Sequence, residues 1–361
     1  MLRAGLLGLP SSGKTTLFQL LTSAREAPRT QGKSEANVGI SRVPDERLDR
    51  LTALFNPKKR VPATVEFADM AAGRATGGTQ ALLDVVAYRN ADALLHVVRA
   101  FRDPSVPHAQ GSIDPARDAR LLEDELILAD LGVVERRLER LAKDLKKTPT
   151  ADLKHEDATL ARAKTWLEDG RALRTLELSG DEVKRFRGFQ FLSAKPLLIV
   201  ANLDEADVAS AGDASRLLGL EDFVTTSTAG VVGVCAKIEL EIAQLDPADA
   251  AAFLADLGLA SSGLDRVIRA AYELLGYISF FTVGEDECRA WSIPRGTPAL
   301  LAAGEIHTDI QRGFIRAEVV PCEELLARGS LAACRDQGSL RLEGKEYIVA
   351  DGDCIEFRHA T

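Results

Sequence analysis

The sequence predicts an α/β fold, a doubly wound and mostly parallel sheet with an inserted antiparallel helical hairpin and a smaller β-rich domain at the C-terminal end. Three observations predict it. Short runs of consecutive apolar residues end at Gly, Asp or Asn and are separated by stretches of helical spacing, as expected for parallel strands covered on both faces. The interval 114–187 is too long for one crossover and carries two amphipathic repeats instead, each with apolar residues three and four apart. From residue 278 onward the texture becomes short strand-like runs broken by Gly, Pro and Asp turns, the pattern of a separate β-rich module.

Taken in order, residues 2–7 form an apolar run that stops at Gly8 and leads through a Gly-containing turn into TLFQLLTSA, which has helical spacing. Further strands are expected at 64–67 running into Asp69, at 93–98, at 196–201 stopping before Asn202, and at 231–236. Within the insert, 116–147 places Leu122, Leu126, Val134, Leu138, Leu141 and Leu145 on one face. A second helix is expected over 154–178 from Leu160, Ala163, Leu167, Leu173 and Leu176, with Pro149 breaking the chain between the two. The C-terminal runs ISFFTV, CRAWSI, FIRAEVV, YIVA and CIEF are expected strands. The domain boundaries that follow are 1–113 with 188–277 for the sheet domain, 114–187 for the hairpin and 278–361 for the last module.

Composition narrows the function classes. At 361 residues, 46% hydrophobic and 27% charged, the chain has the balance of folded rather than disordered proteins and the length of two or three domains. Five cysteines, an odd number without a C-x-x-C pair, fit a reduced, cytoplasmic compartment rather than a disulfide framework or a metal cluster. No apolar run approaches the ~20 residues of a membrane span, and the N-terminus lacks a signal-peptide cleavage pattern. A net charge of −9 disfavours a surface that coats nucleic acid, and 5% aromatics disfavours an extended base-stacking face. A local basic face remains, with Arg136, Arg137, Arg140, Lys143, Lys146 and Lys147 against Glu135, Glu139 and Asp144. It reads either as a solvated surface with i,i+4 ion pairs or as a contact for an RNA backbone.

The chemistry concentrates in Gly8-Leu9-Pro10-Ser11-Ser12-Gly13-Lys14-Thr15, which satisfies G-x-x-x-x-G-K-[ST] between a strand and a helix. Glycines let successive backbone N–H groups converge on phosphate oxygens at a helix N-terminus. Lys14 supplies charge to the β- and γ-phosphates, and the Thr15 hydroxyl is placed to hold Mg²⁺. This is the signature of a P-loop nucleoside-triphosphatase. Asp69, at a strand end near the phosphate loop, suits a Walker-B-like position that holds the same Mg²⁺ directly or through water; its plainer reading is a helix N-cap. Asn202-Leu203-Asp204-Glu205 and Cys235-Ala236 follow later strands, where base-contacting groups sit in such a sheet.

These residues resemble the YchF/Obg-like ATPase family of translation-factor GTPases, over essentially the full length. The most specific pieces are GLPSSGKTTLF, ANVGISRVPDERLDRL, NPKKRVPATVEFAD, LLEDELILADLGVVERRLERL, ANLDE, CAKIELEIAQL and AAGEIHTDIQRGFIRAEV. The resemblance implies a G domain interrupted by a helical hairpin and followed by a TGS domain, a ubiquitin-like β-grasp module. It also implies Mg²⁺-dependent ATP or GTP hydrolysis and association with ribosomes through the hairpin and TGS domain, by a monomer. Asn202 and Glu205 match the family's N-x-x-E, which replaces N-K-x-D; losing the aspartate that accepts two hydrogen bonds from guanine relaxes base choice toward ATP. Nucleotide contacts are thereby expected at Gly8, Pro10, Ser11, Ser12, Gly13, Lys14, Thr15, Thr16, Asn202, Leu203, Glu205, Cys235 and Ala236. Mg²⁺ is expected at Thr15 and Asp69. The resemblance implies a catalytic His108 beside Lys14; the plainer reading is an exposed loop histidine. It gives His307 a structural or RNA-contact role.

The sequence also departs from the family pattern. Lys33 stands where the family carries a switch threonine, with Thr30 and Ser34 nearby. Ala72 stands at the glycine of D-x-x-G, with Gly73 one place later, and Ser11 replaces the usual asparagine of the phosphate loop. Two other functions therefore compete with hydrolysis: a nucleotide-binding adaptor that has lost it through Lys33 and Ala72, and an RNA-binding protein in which nucleotide is incidental.

Overall fold

The structure is a computed structural model that describes residues 3–23, 36–70 and 85–360. From the N-terminus, β1 (Arg3–Leu7) leads into α1 (Lys14–Ser23), followed by β2 (Ala36–Arg42), α2 (Glu46–Phe55), β3 (Lys59–Val61), β4 (Thr64–Met70) and β5 (Ala93–Arg99). The long helices α3 (Pro115–Lys147) and α4 (Ala151–Glu168) and the short α5 (Gly180–Arg187) precede β6 (Leu197–Asn202), α6 (Ala214–Leu217) and β7 (Ala229–Val234). Three helices follow, α7 (Ala236–Ile242), α8 (Pro247–Asp256) and α9 (Gly263–Leu274).

These strands form one sheet in the order β2-β4-β1-β5-β6-β7, with β1 parallel to both β4 and β5, and β6 parallel to β5 and β7. Every residue of β5 and β6 is buried, which is why both read as consecutive apolar runs, with His96 the one polar residue inside β5. Strand order turns at β1, with β4 on one side and β5 on the other. In an open α/β sheet, that switch point is where a ligand crevice forms, outside the strands' C-terminal ends.

The insert forms as its periodicity requires. Asp114 caps α3 by accepting from Arg117 N, Pro115 takes the first turn, and Thr150 caps α4 by accepting from Leu153 N. The first half of α3 lays Ala119, Leu122 and Leu126 on the sheet beside Leu94 and Ile199. Its second half packs Val134 and Leu141 against Leu160, Ala163 and Leu167 of α4. At the changeover sits Asp130, fully buried. It accepts from Leu192 N (2.9 Å), Ser193 N (2.7 Å) and Ser193 Oγ (2.8 Å), and burial pushes its carboxyl above the usual range.

The C-terminal elements are β8 (Tyr277–Thr282), β9 (Glu287–Pro294), α10 (Ala299–Ile306), α11 (Thr308–Arg312), β10 (Phe314–Pro321), α12 (Cys322–Arg328), α13 (Leu331–Asp336), β11 (Arg341–Glu343) and β12 (Asp353–His359). They build a second sheet in the order β11-β10-β12-β8-β9-β3, around a core that includes Phe280, Ile293, Ala302, Val319 and Ile355. Contacts divide the chain into two units, Met1–Ile40 with Glu66–Leu274 and Ser41–Val65 with Leu275–Thr361. The segment 41–65, which the sequence boundaries group with the first domain, thus packs with the last one. Its β3 runs parallel to β9, and Arg47 bonds Asp351 at 2.8 Å while Arg50 bonds Glu323 at 3.0 Å.

Several expected elements shift. The strand expected at 231–236 ends at Val234, because Cys235 caps α7 and Ala236 starts it. The helix expected to reach residue 178 stops at Glu168, and Leu173 and Leu176 reach the same apolar cluster from a 3₁₀ turn and the residue after it. YIVA is not a strand. Asp353 Oδ2 takes hydrogen bonds from Tyr347 Oη (2.8 Å) and Ala350 N (2.9 Å) and holds the segment as a turn. The strands β2, β3 and β11 were not anticipated.

Two outcomes follow. Asp130→Ala leaves two buried N–H groups unpaired and is expected to lower stability by about 3 kcal/mol in urea unfolding. His96 lies in the middle of β5, wholly buried, with Nε2 unpartnered, and burial lowers its pKa from 6.5 to about 3. Below pH 6.5 the unfolded chain binds a proton that the native state refuses, so stability is intact above that pH and falls on acidification. Replacing the histidine with leucine (His96→Leu) is expected to shrink the wild-type loss between pH 7 and 5 by about 2 kcal/mol, read from urea midpoints.

Candidate nucleotide site

The C-terminal tips of β1, β4, β5, β6 and β7 lie along one edge of the first sheet, and each contributes to the site. The loop 8–13 runs from β1 to the start of α1. A side chain at Gly8 would meet Val97 O at 2.6 Å, and one at Gly13 (φ +91°) would meet Asn202 Nδ2 at 2.2 Å, so only glycine fits either place. Ser11 is also left-handed, with φ 64°, a region asparagine enters more readily than serine. That is a physical reason for the family's asparagine at this position. Residues 8–16 line a cavity of about 380 Å³.

Lys14 Nζ reaches Asp69 Oδ1 at 2.5 Å, so the phosphate-loop lysine and the β4 carboxylate meet directly across the paired tips of β1 and β4. Asp69 is buried and Thr15 is exposed. Two oxygen donors suit Mg²⁺, which takes few protein ligands and completes its shell with phosphates and water. Among the described residues no group of three or more His, Cys, Asp or Glu side chains is placed to cage a metal by itself. The donor set therefore fits a magnesium that arrives with a triphosphate.

A second cavity, of about 480 Å³, abuts the first at Gly13 and Thr16. Asn202, Leu203, Glu205, Cys235 and Ala236 line it. Asn202 is buried; its Nδ2 donates to Ser12 O and its Oδ1 accepts from Ala236 N, both at 3.1 Å. Glu205 is ion-paired with Lys237, which raises the lysine pKa through that hydrogen bond. Burial pushes the Cys235 thiol up. Asp204 accepts from Arg102 N at 3.0 Å, which lowers its carboxyl pKa.

His108 is tied down on both ring nitrogens. Nδ1 accepts from Gln110 N at 3.0 Å, so the ring proton sits on Nε2, which faces Asp118 Oδ2 at 2.9 Å. His307 caps α11 by accepting from Asp309 N. Lys33, Ala72, Thr30, Ser34 and Gly73 lie outside the described residues. Sequence reasoning missed Phe101 and Arg102, which also line the larger cavity. The signal available was position, since 101–104 follow β5 at the same sheet edge as the motifs already recognised.

The chain is similar along its length to several known proteins. Residues 277–360 match the family YchF-GTPase_C, described as a protein of unknown function (DUF933). The protein called Ribosome-binding ATPase YchF in Bacillus subtilis (strain 168) is 43% identical over 364 residues, 99% of this chain and 99% of that protein. Its namesake in Escherichia coli O157:H7 is 38% identical over 363 residues, 98% of each. The chain belongs to the YchF family. The solved YchF GTPase of Schizosaccharomyces pombe superposes with a TM-score of 0.86 at 30% identity, covering 99% of this chain and 97% of that one. The YchF resemblance drawn from the motifs is thus borne out along the whole chain, as is the α/β fold.

Removing the amide bridge tests the geometry. Asn202→Ala is expected to weaken ATP binding by about 10- to 100-fold, from two lost buried hydrogen bonds, measured by calorimetry on the full chain.

Proposed function

We propose that this chain is a Mg²⁺-dependent nucleoside-triphosphatase that prefers ATP, and that its bound nucleotide controls docking on the ribosome. The observation that carries the reading is the pair of abutting cavities, one walled by phosphate-loop backbone and one by the ends of β5, β6 and β7, with Asn202 joining them. The curated relatives are named ribosome-binding ATPases, and that partner implies a cytoplasmic place for this chain.

In this reading backbone N–H groups of the loop beyond Ser12 and of the start of α1 hold the β- and γ-phosphates and Lys14 neutralises their charge. Thr15 and Asp69 would hold Mg²⁺, which when bound would supply further charge neutralisation. For that, Lys14 turns from Asp69 toward phosphate. Base choice follows from Glu205. A carboxylate already committed to Lys237 is a poor acceptor for the N1–H and amine of guanine, so guanine gains nothing over adenine.

Ribosome docking is supported by α3. Arg136, Arg140, Lys143 and Lys147 recur at i, i+4, i+7 and i+11, all exposed, and none is ion-paired among the described residues. Arg137 is excluded from that stripe by its bonds to Glu156 at 2.7 and 2.9 Å. One row of exposed cations along a helix suits RNA phosphates.

The state of His108 favours a second reading, the adaptor that binds nucleotide without hydrolysing it. With both ring nitrogens engaged, the imidazole has no lone pair for a water, and catalysis by it requires release from Asp118 or Gln110.

Calorimetry with ATP, GTP and their diphosphates, with and without Mg²⁺, tests binding. ATP is expected to bind tighter than GTP, and Lys14→Ala to weaken it by about 100-fold or more; equal affinities for triphosphates and diphosphates would remove γ-phosphate sensing. Single-turnover phosphate release separates enzyme from adaptor. Release lost in Lys14→Ala supports the enzyme, and its absence in wild type with ribosomes present supports the adaptor.

A further inference from the structure

Arg99, the last residue of β5, is a buried cation with no role in the chemistry above. Only 3% of it is exposed. Its Nε donates to Phe101 O and its Nη2 to Asp103 O, both at 3.2 Å, and its guanidinium lies 4.5 Å from the centre of the Phe101 ring. Nη1 is buried without a partner. Neither bond goes to a carboxylate: the Asp103 carboxylate lies within electrostatic range of the guanidinium, but the direct contacts of the buried charge are two carbonyl dipoles and an aromatic face. Such a costly arrangement is poor design for stability alone and is the sort of local exception that marks a functional site.

What the guanidinium holds is the turn 101–104, which lines the larger cavity. The turn is pinned from the other side by Asp204, which takes the Arg102 N–H at 3.0 Å. The Phe101 ring faces Gly13 as well: a Cβ at Gly13 would lie 3.9 Å from its Cε1. The ring therefore stands where the base-side and phosphate-side cavities join. A planar fork can grip two carbonyls two residues apart while stacking on the ring between them; a lysine, with one point of charge, cannot do all three.

We propose that Arg99 is a positioning residue for the nucleobase: by fixing the carbonyls of Phe101 and Asp103 and stacking on the Phe101 ring, it sets the wall against which a purine packs. The inference rests on the nucleotide-binding reading above and adds the side chain that makes its base cavity rigid. Arg99 does not contact the phosphates in this assignment. Its loss separates affinity for a base-bearing ligand from affinity for the phosphate chain.

The test is calorimetry on the full chain with Mg-ATP and Mg-tripolyphosphate. Wild type is expected to bind ATP more tightly than tripolyphosphate. Arg99→Lys is expected to weaken ATP by about tenfold while tripolyphosphate stays within about twofold. Phe101→Leu, which keeps an apolar side chain and the fold, is expected to give the same selective loss, and the double variant no more than either alone. Loss of both ligands equally, retention of wild-type discrimination in Arg99→Lys, or additive losses in the double variant would each overturn the role. A wild-type chain that binds ATP no better than tripolyphosphate overturns the base cavity itself, and this inference with it. If the Arg99 variant does not fold, Phe101→Leu decides: unchanged ATP affinity there removes the wall and the residue proposed to hold it.

Discussion

One buried amide organises the first unit's functional edge. Asn202 donates to the backbone of the phosphate loop and accepts from the backbone at the start of α7, so it joins two chain segments far apart in sequence through groups that every residue carries. Aspartate could accept from Ala236 but not donate to Ser12; glutamine has both functions but an extra methylene. The side chain is therefore defined by reach and by having a donor and an acceptor on one rigid plane. Gly13 completes the constraint, since any side chain there would occupy the amide's place. Remove that contact and the walls of the two adjoining cavities lose their fixed spacing.

The legible parts of the sequence are those where backbone physics leaves few alternatives. The phosphate loop announces itself because N–H groups converge only where glycines permit close approach. β5 and β6 announce themselves because both faces are buried, so apolar residues run consecutively, interrupted before the strand ends only by His96 in β5. The edge strands did not. KRV of β3 and RLE of β11 are three residues each, largely exposed, and carry no periodicity to detect. Apolar spacing also overstated α4, because Leu173 and Leu176 satisfy the same core from non-helical backbone.

Within the site, motif residues were readable and their partners were not. The pairing of His108 with Asp118, ten residues on, depends on how a loop folds back over the first turn of α3. Glu205 and Lys237 meet because β6 and β7 are neighbours, a fact of sheet order rather than of spacing. Phe101 and Arg99 carry no motif at all. They matter through where β5 ends, which only the assembled sheet reveals. The interior also holds charge where segments are joined, as with Asp130 under the hairpin and Glu239, whose carboxylate takes Gly263 N–H at 2.6 Å and is pushed up by burial. These contacts are directional, and they hold registers that apolar packing alone would leave free to slide.

The segment 41–65 has a consequence for how the polypeptide can be divided. Because β3 supplies an outer strand to the C-terminal sheet, and Arg47 reaches Asp351 beside β12, residues 275–361 are not a detachable module. A fragment cut at 274 would leave Glu287, Cys288 and Arg289 without their β3 partners and Asp351 without the Arg47 guanidinium. Shuffling this module between proteins, by gene fusion or in the laboratory, has to carry a piece of the N-terminal half along with it.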